Sequence, residues 1–196
     1  MTSVNLSTVK QRTPSTTRLA ALLILAGALA LPLVVDSAMI GDFSYFLLWT
    51  FCAIGLAAMW GHGGILSFGQ TAFFDIAGYT YGVMTLNFGD GVLSTWSGLV
   101  MALLVAAAVA AALGYLMFYG GVTGIFIGIV TLSFTLVLET FMSQTAGPQW
   151  AIGSARLNGF NGMSGMPPLS LPWFGGELLT LEGNAFYYLI IVLLAG

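Results

Sequence analysis

The stretch GLVMALLVAAAVAAALGYLMF, residues 98–118, contains no charged side chain and no proline. As an α-helix it is about 31 Å long, which matches the roughly 30 Å hydrocarbon core of a lipid bilayer. The whole chain has the same character, with 58% hydrophobic and only 6% charged residues, whereas soluble domains carry about 25% charged residues. We therefore predict that residues 98–118 form a membrane-spanning helix of an integral membrane protein.

Apolar runs of similar length flank this stretch on both sides. They cover Leu19–Val35, Phe43–Trp60, Thr71–Leu86 and Ile125–Met142. A further run opens at Ala185 and stops at Gly196, and about a dozen residues are too few to cross a bilayer as a helix. The runs are continuous and lack the polar/apolar alternation of membrane strands. The prediction is an all-α polytopic membrane protein with about five complete transmembrane helices plus a truncated sixth.

The amino-terminal residues are polar and basic. Residues 1–18 are rich in Ser and Thr and contain Lys10, Arg12 and Arg18. Basic residues next to a first span remain on the cytoplasmic side of the membrane. We therefore predict a cytoplasmic basic tail (1–18), followed by a single, incomplete transmembrane domain (19–196). Alternation of the spans then places the Pro/Gly-rich loop of residues 143–184 on the outer side.

Pairs of glycines four residues apart occur in two of the predicted spans. Gly78 and Gly82 lie in the third run, and Gly124 and Gly128 lie at the start of the fifth. In lipid, small residues let helix backbones approach closely and gain van der Waals contact. We expect these four glycines to lie at helix–helix contacts.

Polar side chains in the predicted spans are candidates for a solute pathway. Asp75 lies in the third run and Glu139 near the end of the fifth. A carboxylate in the bilayer costs several kcal/mol unless it has a partner or a wet cavity. Ser67, Gln70 and Thr71 form a polar cluster just before Asp75. Two alternatives stay open, because the carboxylates can reach water at the interface and the polar cluster can satisfy backbone groups of the neighbouring Gly-rich joint.

Several function classes are disfavoured. Four Lys and Arg residues are too few for a nucleic-acid footprint. The only lysine, Lys10, lies in the tail, so the chain lacks a phosphate-binding loop for ATP. One His and one Cys provide no metal site, and no cofactor is expected. Gly162–Gly165 is similar to the tetrapeptide of intramembrane serine proteases, but Ser164 and His62 are predicted on opposite sides of the membrane, where a base cannot reach a nucleophile. We predict that the chain is not an enzyme.

Three blocks of sequence resemble one transporter family. The stretch WGHGGILSFGQTAFFDIAGYTYG (Trp60–Gly82) contains a Gly-rich joint, then L-S-x-G-Q, then A-x-F and a small-residue helix with a tyrosine. Gly124–Phe126 with Ile129–Leu132, and then Asn161–Met163, follow in the same order as in the family. Together they resemble the permeases of branched-chain amino-acid ABC importers, including their urea and short-amide relatives.

The resemblance implies a bacterial inner-membrane subunit that forms part of a translocation path. It further implies a homologous permease as partner, cytoplasmic ATPase subunits that supply ATP hydrolysis, and a periplasmic solute-binding protein. Asp75 departs from the family, which usually has a small residue there, and Gly121 stands near a position that is often basic. The coupling loop that contacts the ATPase would follow the sixth span. The alternative is a channel or secondary transporter, and the sequence does not specify which solute is carried.

Overall fold

The computed structural model describes residues 15–89, 91–172 and 178–195. Lys10 and Arg12 of the predicted tail lie outside these residues. Six α-helices run through the described part of the chain: α1 Ser15–Ala30, α2 Ser37–Gly63, α3 Gln70–Phe88, α4 Val92–Tyr119, α5 Ile125–Ser143 and α6 Gly183–Ala195. The all-α architecture predicted from the sequence is confirmed. Helix α1 begins at Ser15, before the predicted start of the first span at Leu19.

Four helical segments of the described chain are long and apolar enough to cross a membrane. They are Thr16–Leu33, Ser37–Gly63, Val92–Tyr119 and Ile125–Ser143. Helix α3 has 19 residues, which correspond to a rise of about 28 Å, but it is not among the four because it contains several polar residues. The count of five complete spans therefore stays a prediction.

Helix α3 runs antiparallel to α2, which precedes it, and to α4, which follows it. The Oε1 atom of Gln70, at the start of α3, lies 3.5 Å from the Cβ position of Gly55 near the end of α2. Further along α3, the ring of Phe74 lies 6.1 Å from that of Trp49, which is earlier in α2. Near the start of α4, the Cβ position of Gly98 lies 3.1 Å from Cγ2 of Thr85 near the end of α3. The chain therefore reverses direction at both connections.

Helix α5 runs parallel to α3. The Cβ position of Gly69, just before α3, lies 3.5 Å from Cβ of Thr131 in the first half of α5, and Tyr79 further along α3 lines the same cavity as Met142 near the end of α5. The α2–α3 joint therefore lies beside the first half and the middle of α5. The loop that follows α5 lies beside the end of α3.

Helices α1, α2 and α6 form a separate packing unit around Ile40, Tyr187 and Ile191. Pro32 interrupts the end of α1 in a 3-10 turn, Leu31–Leu33. Because proline has no N–H, the carbonyl of Ala28 four residues earlier loses its helical partner. The hydroxyl of Tyr187 donates to that carbonyl oxygen at 2.8 Å. Helix α6 thereby supplies the hydrogen bond that the proline removes from α1.

We expect Tyr187→Phe to lower the free energy of unfolding of the full-length protein by about 1–2 kcal/mol, because the Ala28 carbonyl then has no donor in an apolar environment. Thermal unfolding in nanodiscs measures the change. Tyr119→Phe is the matched control, since the Tyr119 ring is 82% exposed. Equal stability of the two variants would contradict the role assigned to Tyr187.

The loop after α5 contains two short antiparallel hairpins that the sequence did not predict. The strands are β1 Ala151–Ile152, β2 Ala155–Arg156, β3 Ser170–Pro172 and β4 Leu178–Thr180. Two or three residues are too few to display an alternating pattern. Asn87 at the end of α3 holds the first hairpin: its Nδ2 donates to the Ile152 carbonyl at 2.8 Å and its Oδ1 accepts from the Ser154 N–H at 2.9 Å.

Candidate functional site

The chain is not helical between α2 and α3. Helix α2 ends at Gly63 and is followed by Gly64, a left-handed residue with φ 63°. Residues 64–69 form an unwound joint before α3. The Phe68 N–H donates to Oγ1 of Thr131 at 3.0 Å. Oγ1 of Thr135 donates to the Phe68 carbonyl at 3.0 Å. Both polar backbone groups of Phe68 therefore have partners on α5, as non-helical backbone in a membrane requires.

Close approach of the joint to α5 depends on a glycine. A Cβ atom at Gly128 would lie 3.3 Å from the carbonyl oxygen of Leu66 and 3.5 Å from the Phe68 ring. Thr131 is the next residue on this face, and it is only 2% exposed. The joint and the first half of α5 therefore form one tightly packed unit.

A cavity of about 590 Å³ lies beside the first half of α3 and the last third of α5. Its volume falls within the roughly 300–1,000 Å³ range of small-molecule sites. Residues 74–79 of α3, residues 138–143 of α5 and Tyr45 of α2 contribute to its wall. Asp75, Gly78 and Tyr79 are spaced so that they share one face of α3. The cavity is thus built from three helices and from the loop that follows α5.

Two carboxylates line this cavity. Asp75 projects from α3 and is half-buried, whereas Glu139 projects from α5 and is exposed. Neither side chain has a hydrogen-bond partner among residues 15–89, 91–172 and 178–195. The described lining contains no Lys or Arg. The cavity therefore has an acidic character that is not neutralised by the side chains around it.

The loop residues that line the cavity belong to a segment that we call the cap segment, residues 158–167. Oη of Tyr81 on α3 donates to the carbonyl oxygen of Pro167 at 2.8 Å. Met163 and Met166 lie against Gly82, where a Cβ atom would collide with the sulfur of each. The cap segment therefore rests directly on α3 and covers one side of the cavity.

A family model described as a branched-chain amino acid transport system permease component matches residues 38–196. The chain belongs to this permease family. No curated protein and no solved structure matches the chain. The family assignment confirms the resemblance inferred from the three sequence blocks.

The structure brings the three blocks of this permease together in space. The Gly-rich joint in the first block contacts α5 through Thr131 of the second block. The third block, Asn161–Met163, lies in the cap segment and lines the same cavity as Asp75. The motifs that identify the family therefore also form the contacts between α3, α5 and the cap segment.

The predicted pathway residues fall into two groups. Asp75 and Glu139 line the cavity, whereas its described lining does not include Ser67, Gln70 or Thr71. Ser67 is buried and its Oγ accepts from the Gly69 N–H at 3.3 Å. Nε2 of Gln70 lies 3.1 Å from the Met59 sulfur. The polar cluster thus lies at the joint, and Ser67 accepts a backbone hydrogen bond there.

The four predicted packing glycines occupy different environments. Gly128 contacts the joint, and Gly82 contacts the cap segment. Gly78 lines the cavity, and no atom of another described segment lies within 4 Å of its Cβ position. Gly124 precedes α5 with φ 59° and likewise has nothing within 4 Å. Glycine spacing alone therefore did not distinguish helix contacts from a cavity wall or a helix start.

Other cavity residues were not predicted as site residues. Tyr45 and Phe160 give no signal, because aromatic residues are common throughout an apolar chain. Asn161 was quoted only as part of the family resemblance, although it lines the cavity. An asparagine close to glycines, as in residues 159–162, is a usable sequence signal for a tightly folded loop, and in the structure Gly159 and Gly162 have positive φ.

The serine and histidine of the protease-like pattern lie far apart. Oγ of Ser164 accepts from Nδ2 of Asn158 in the cap segment at 3.2 Å. The His62 ring lies 3.1 Å from the Ala58 carbonyl near the α2–α3 joint. Roughly 18 Å of helix rise separates Gln70, next to the joint, from Gly82 beneath the cap segment. Among the residues that the structure describes, no group of three His, Cys, Asp or Glu side chains is placed to hold a metal ion.

Proposed function

We propose that this chain is the membrane-spanning permease subunit of an ATP-driven importer and that the acidic cavity is part of its translocation path. The solutes proposed are branched-chain amino acids or related small polar solutes, including urea and short amides. The observation that carries the proposal is a solute-sized cavity between α2, α3 and α5 with two carboxylates in its wall. Family membership supports the transport role.

The chemistry of the lining suits a solute with both a charged and an apolar part. Asp75 and Glu139 attract an ammonium group, and an ammonium–carboxylate contact is a strong, charge-assisted hydrogen bond. Phe74, Leu138 and Met142 provide apolar surface for a hydrocarbon side chain. An amino acid with an aliphatic side chain satisfies both requirements.

The proposal includes partners and an orientation. A homologous permease, cytoplasmic ATPase subunits and a periplasmic binding protein would complete the importer in a bacterial inner membrane. The amino terminus and the α2–α3 joint would face the cytoplasm, and the cap segment would face the periplasm. Delivery of solute at the cap side is consistent with the cap-segment residues that line the cavity.

Uptake by the complete complex tests the proposal. The complex is purified through a tag on the full-length protein, reconstituted in proteoliposomes, and supplied with labelled leucine and the binding protein. We expect uptake only when ATP is present on the ATPase side. Equilibration of leucine or urea without ATP would contradict the proposal and favour the alternative, a channel or secondary transporter.

A further inference from the structure

The cap segment is joined to a different helix at each of its two ends. At its start, Gly159 lies against the turn that directly follows α5, where a Cβ atom on Gly159 would be 2.8 Å from Cβ of Ala146. At its finish, the Pro167 carbonyl accepts the hydrogen bond from Tyr81 of α3. The segment therefore crosses from α5 to α3, and the residues between these attachments line the cavity.

The two attachments differ in strength. On the α5 side Gly159 packs on the backbone of Ala146, where a Cβ atom would be 3.0 Å from Cα of Ala146. Residues 158–162 next to this contact form a turn, because the Asn161 N–H donates to the Asn158 carbonyl at 3.3 Å and the Gly162 N–H to the Gly159 carbonyl at 3.1 Å. On the α3 side there is one tyrosine hydrogen bond and two methionine side chains on a glycine. Methionine is flexible and its thioether tolerates changed surroundings. Release is therefore easier on the α3 side.

We propose that the cap segment is a movable gate of the cavity. It is hinged on the α5 side and held against α3 by the Tyr81 hydrogen bond and by the contact of its two methionines with Gly82. Opening breaks the Tyr81–Pro167 hydrogen bond and carries Phe160 and Asn161 away from Asp75. The opening through which water reaches the cavity then widens on the side of the cap segment. The passage of solute through this gate rests on the proposed function, but the movement itself does not.

Thiol labelling tests the gate without measuring transport. A Gly78→Cys reporter in a Cys52→Ser background places one thiol in the cavity, and nothing crowds the Cβ position of Gly78. In the full-length protein in nanodiscs, both membrane faces meet a water-soluble maleimide. We expect Tyr81→Phe to raise the labelling rate several-fold, whereas Tyr115→Phe, on the exposed part of α4, leaves it unchanged. Unchanged labelling in both Tyr81→Phe and Gly82→Ala, which displaces the methionines, would overturn the proposal.

A reversible cross-link tests whether opening is needed for uptake. Cγ of Met166 lies 3.2 Å from the Cβ position of Gly82, so a Gly82→Cys/Met166→Cys pair falls within disulfide geometry. We expect oxidation to reduce uptake at least tenfold and a reductant to restore it. A Thr85→Cys/Gly98→Cys pair, which joins α3 to α4, keeps its uptake when oxidised. Full uptake by the cross-linked protein would overturn the gate. If the protein without the cysteine pair shows no uptake under reducing conditions, that result would count against the proposed function, and the labelling rates would then decide whether the cap segment moves.

Discussion

The double variant Thr131→Val/Thr135→Val is expected to lower the free energy of unfolding by about 2–4 kcal/mol, roughly 1–2 kcal/mol for each interhelical hydrogen bond. Valine has nearly the same shape as threonine, so the packing of α5 against the joint changes little. The Phe68 N–H and carbonyl lose their partners. No water replaces them in an apolar environment, and each unsatisfied group adds a desolvation cost.

The two single variants separate the donor from the acceptor. Thr131→Val removes the acceptor of the Phe68 N–H, which has no second acceptor among the described residues. The Thr135 hydroxyl shares its proton between the Phe68 carbonyl and the Thr131 carbonyl, each at 3.0 Å. We therefore expect Thr131→Val to be the more destabilising of the two. Thermal unfolding of the full-length protein in nanodiscs measures all three variants.

Thr140→Val is the matched control for this series. Thr140 lies on the same helix but is exposed, so its replacement by valine is expected to change stability by less than about 0.5 kcal/mol. Destabilisation by Thr140→Val as large as that by Thr131→Val would show that valine itself, rather than loss of the contact to the joint, causes the effect.

The helices were predictable because lipid imposes a strong and simple pattern on a sequence. Long uncharged runs indicated α2, α4 and α5, and the structure has helices at each of them. The boundaries were less predictable. Helix α2 begins at Ser37 rather than at Phe43, because Asp36 and Ser37 are polar but compatible with the first turn of a helix. Hydropathy locates the apolar part of a helix, whereas hydrogen bonding determines its ends.

The cavity was only partly predictable. Intramembrane charge singled out Asp75 and Glu139 one at a time, because each is costly in lipid. Nothing in their spacing shows that they line the same cavity, since they lie on different helices and the parallel packing of α3 on α5 decides their proximity. The cap segment was less accessible still, because its place depends on a tyrosine hydrogen bond and on methionines that contact Gly82.

The polar cluster at the joint shows why the role of a polar side chain is difficult to predict from sequence. Ser67 and Gln70 are polar residues beside an apolar helix, a pattern typical of a pathway. In the structure Ser67 contacts the Gly69 N–H and Gln70 contacts the Met59 sulfur, so their place in a pathway stays a prediction. A break between two helices exposes backbone groups that nearby polar side chains can satisfy. Sequence alone does not reveal which polar residues are already occupied in this way.

Asp75→Asn is expected to reduce the rate of amino-acid uptake by about tenfold or more while raising the stability of the protein. Asparagine has the shape of aspartate but not its charge. Loss of one charge-assisted contact to an ammonium group costs about 1.5–3 kcal/mol, and about 1.4 kcal/mol corresponds to a tenfold change. In the solute-free protein the same charge is half-buried without a partner, so its removal is expected to add about 1 kcal/mol to the free energy of unfolding.

The opposite signs of the two effects separate a pathway role from a structural role. A carboxylate that holds helices together would lower both uptake and stability when it is neutralised. A carboxylate that is available to bind a solute, and therefore has no protein partner, destabilises the solute-free protein, as is common at functional sites. Asp42→Asn is the control, because Asp42 is exposed on α2 and does not line the cavity.

The measurement pairs initial uptake rates in proteoliposomes with thermal unfolding of the same preparations. Glu139→Gln is expected to change both quantities in the same directions but by less, because Glu139 is exposed and its charge is better solvated. Urea has no ammonium group, so any uptake of urea by the complex is expected to be nearly insensitive to Asp75→Asn. Unchanged leucine uptake in Asp75→Asn, or a loss of stability, would contradict the proposed place of Asp75 in the translocation path. The cavity would then lack the main carboxylate proposed to attract the ammonium group of the solute.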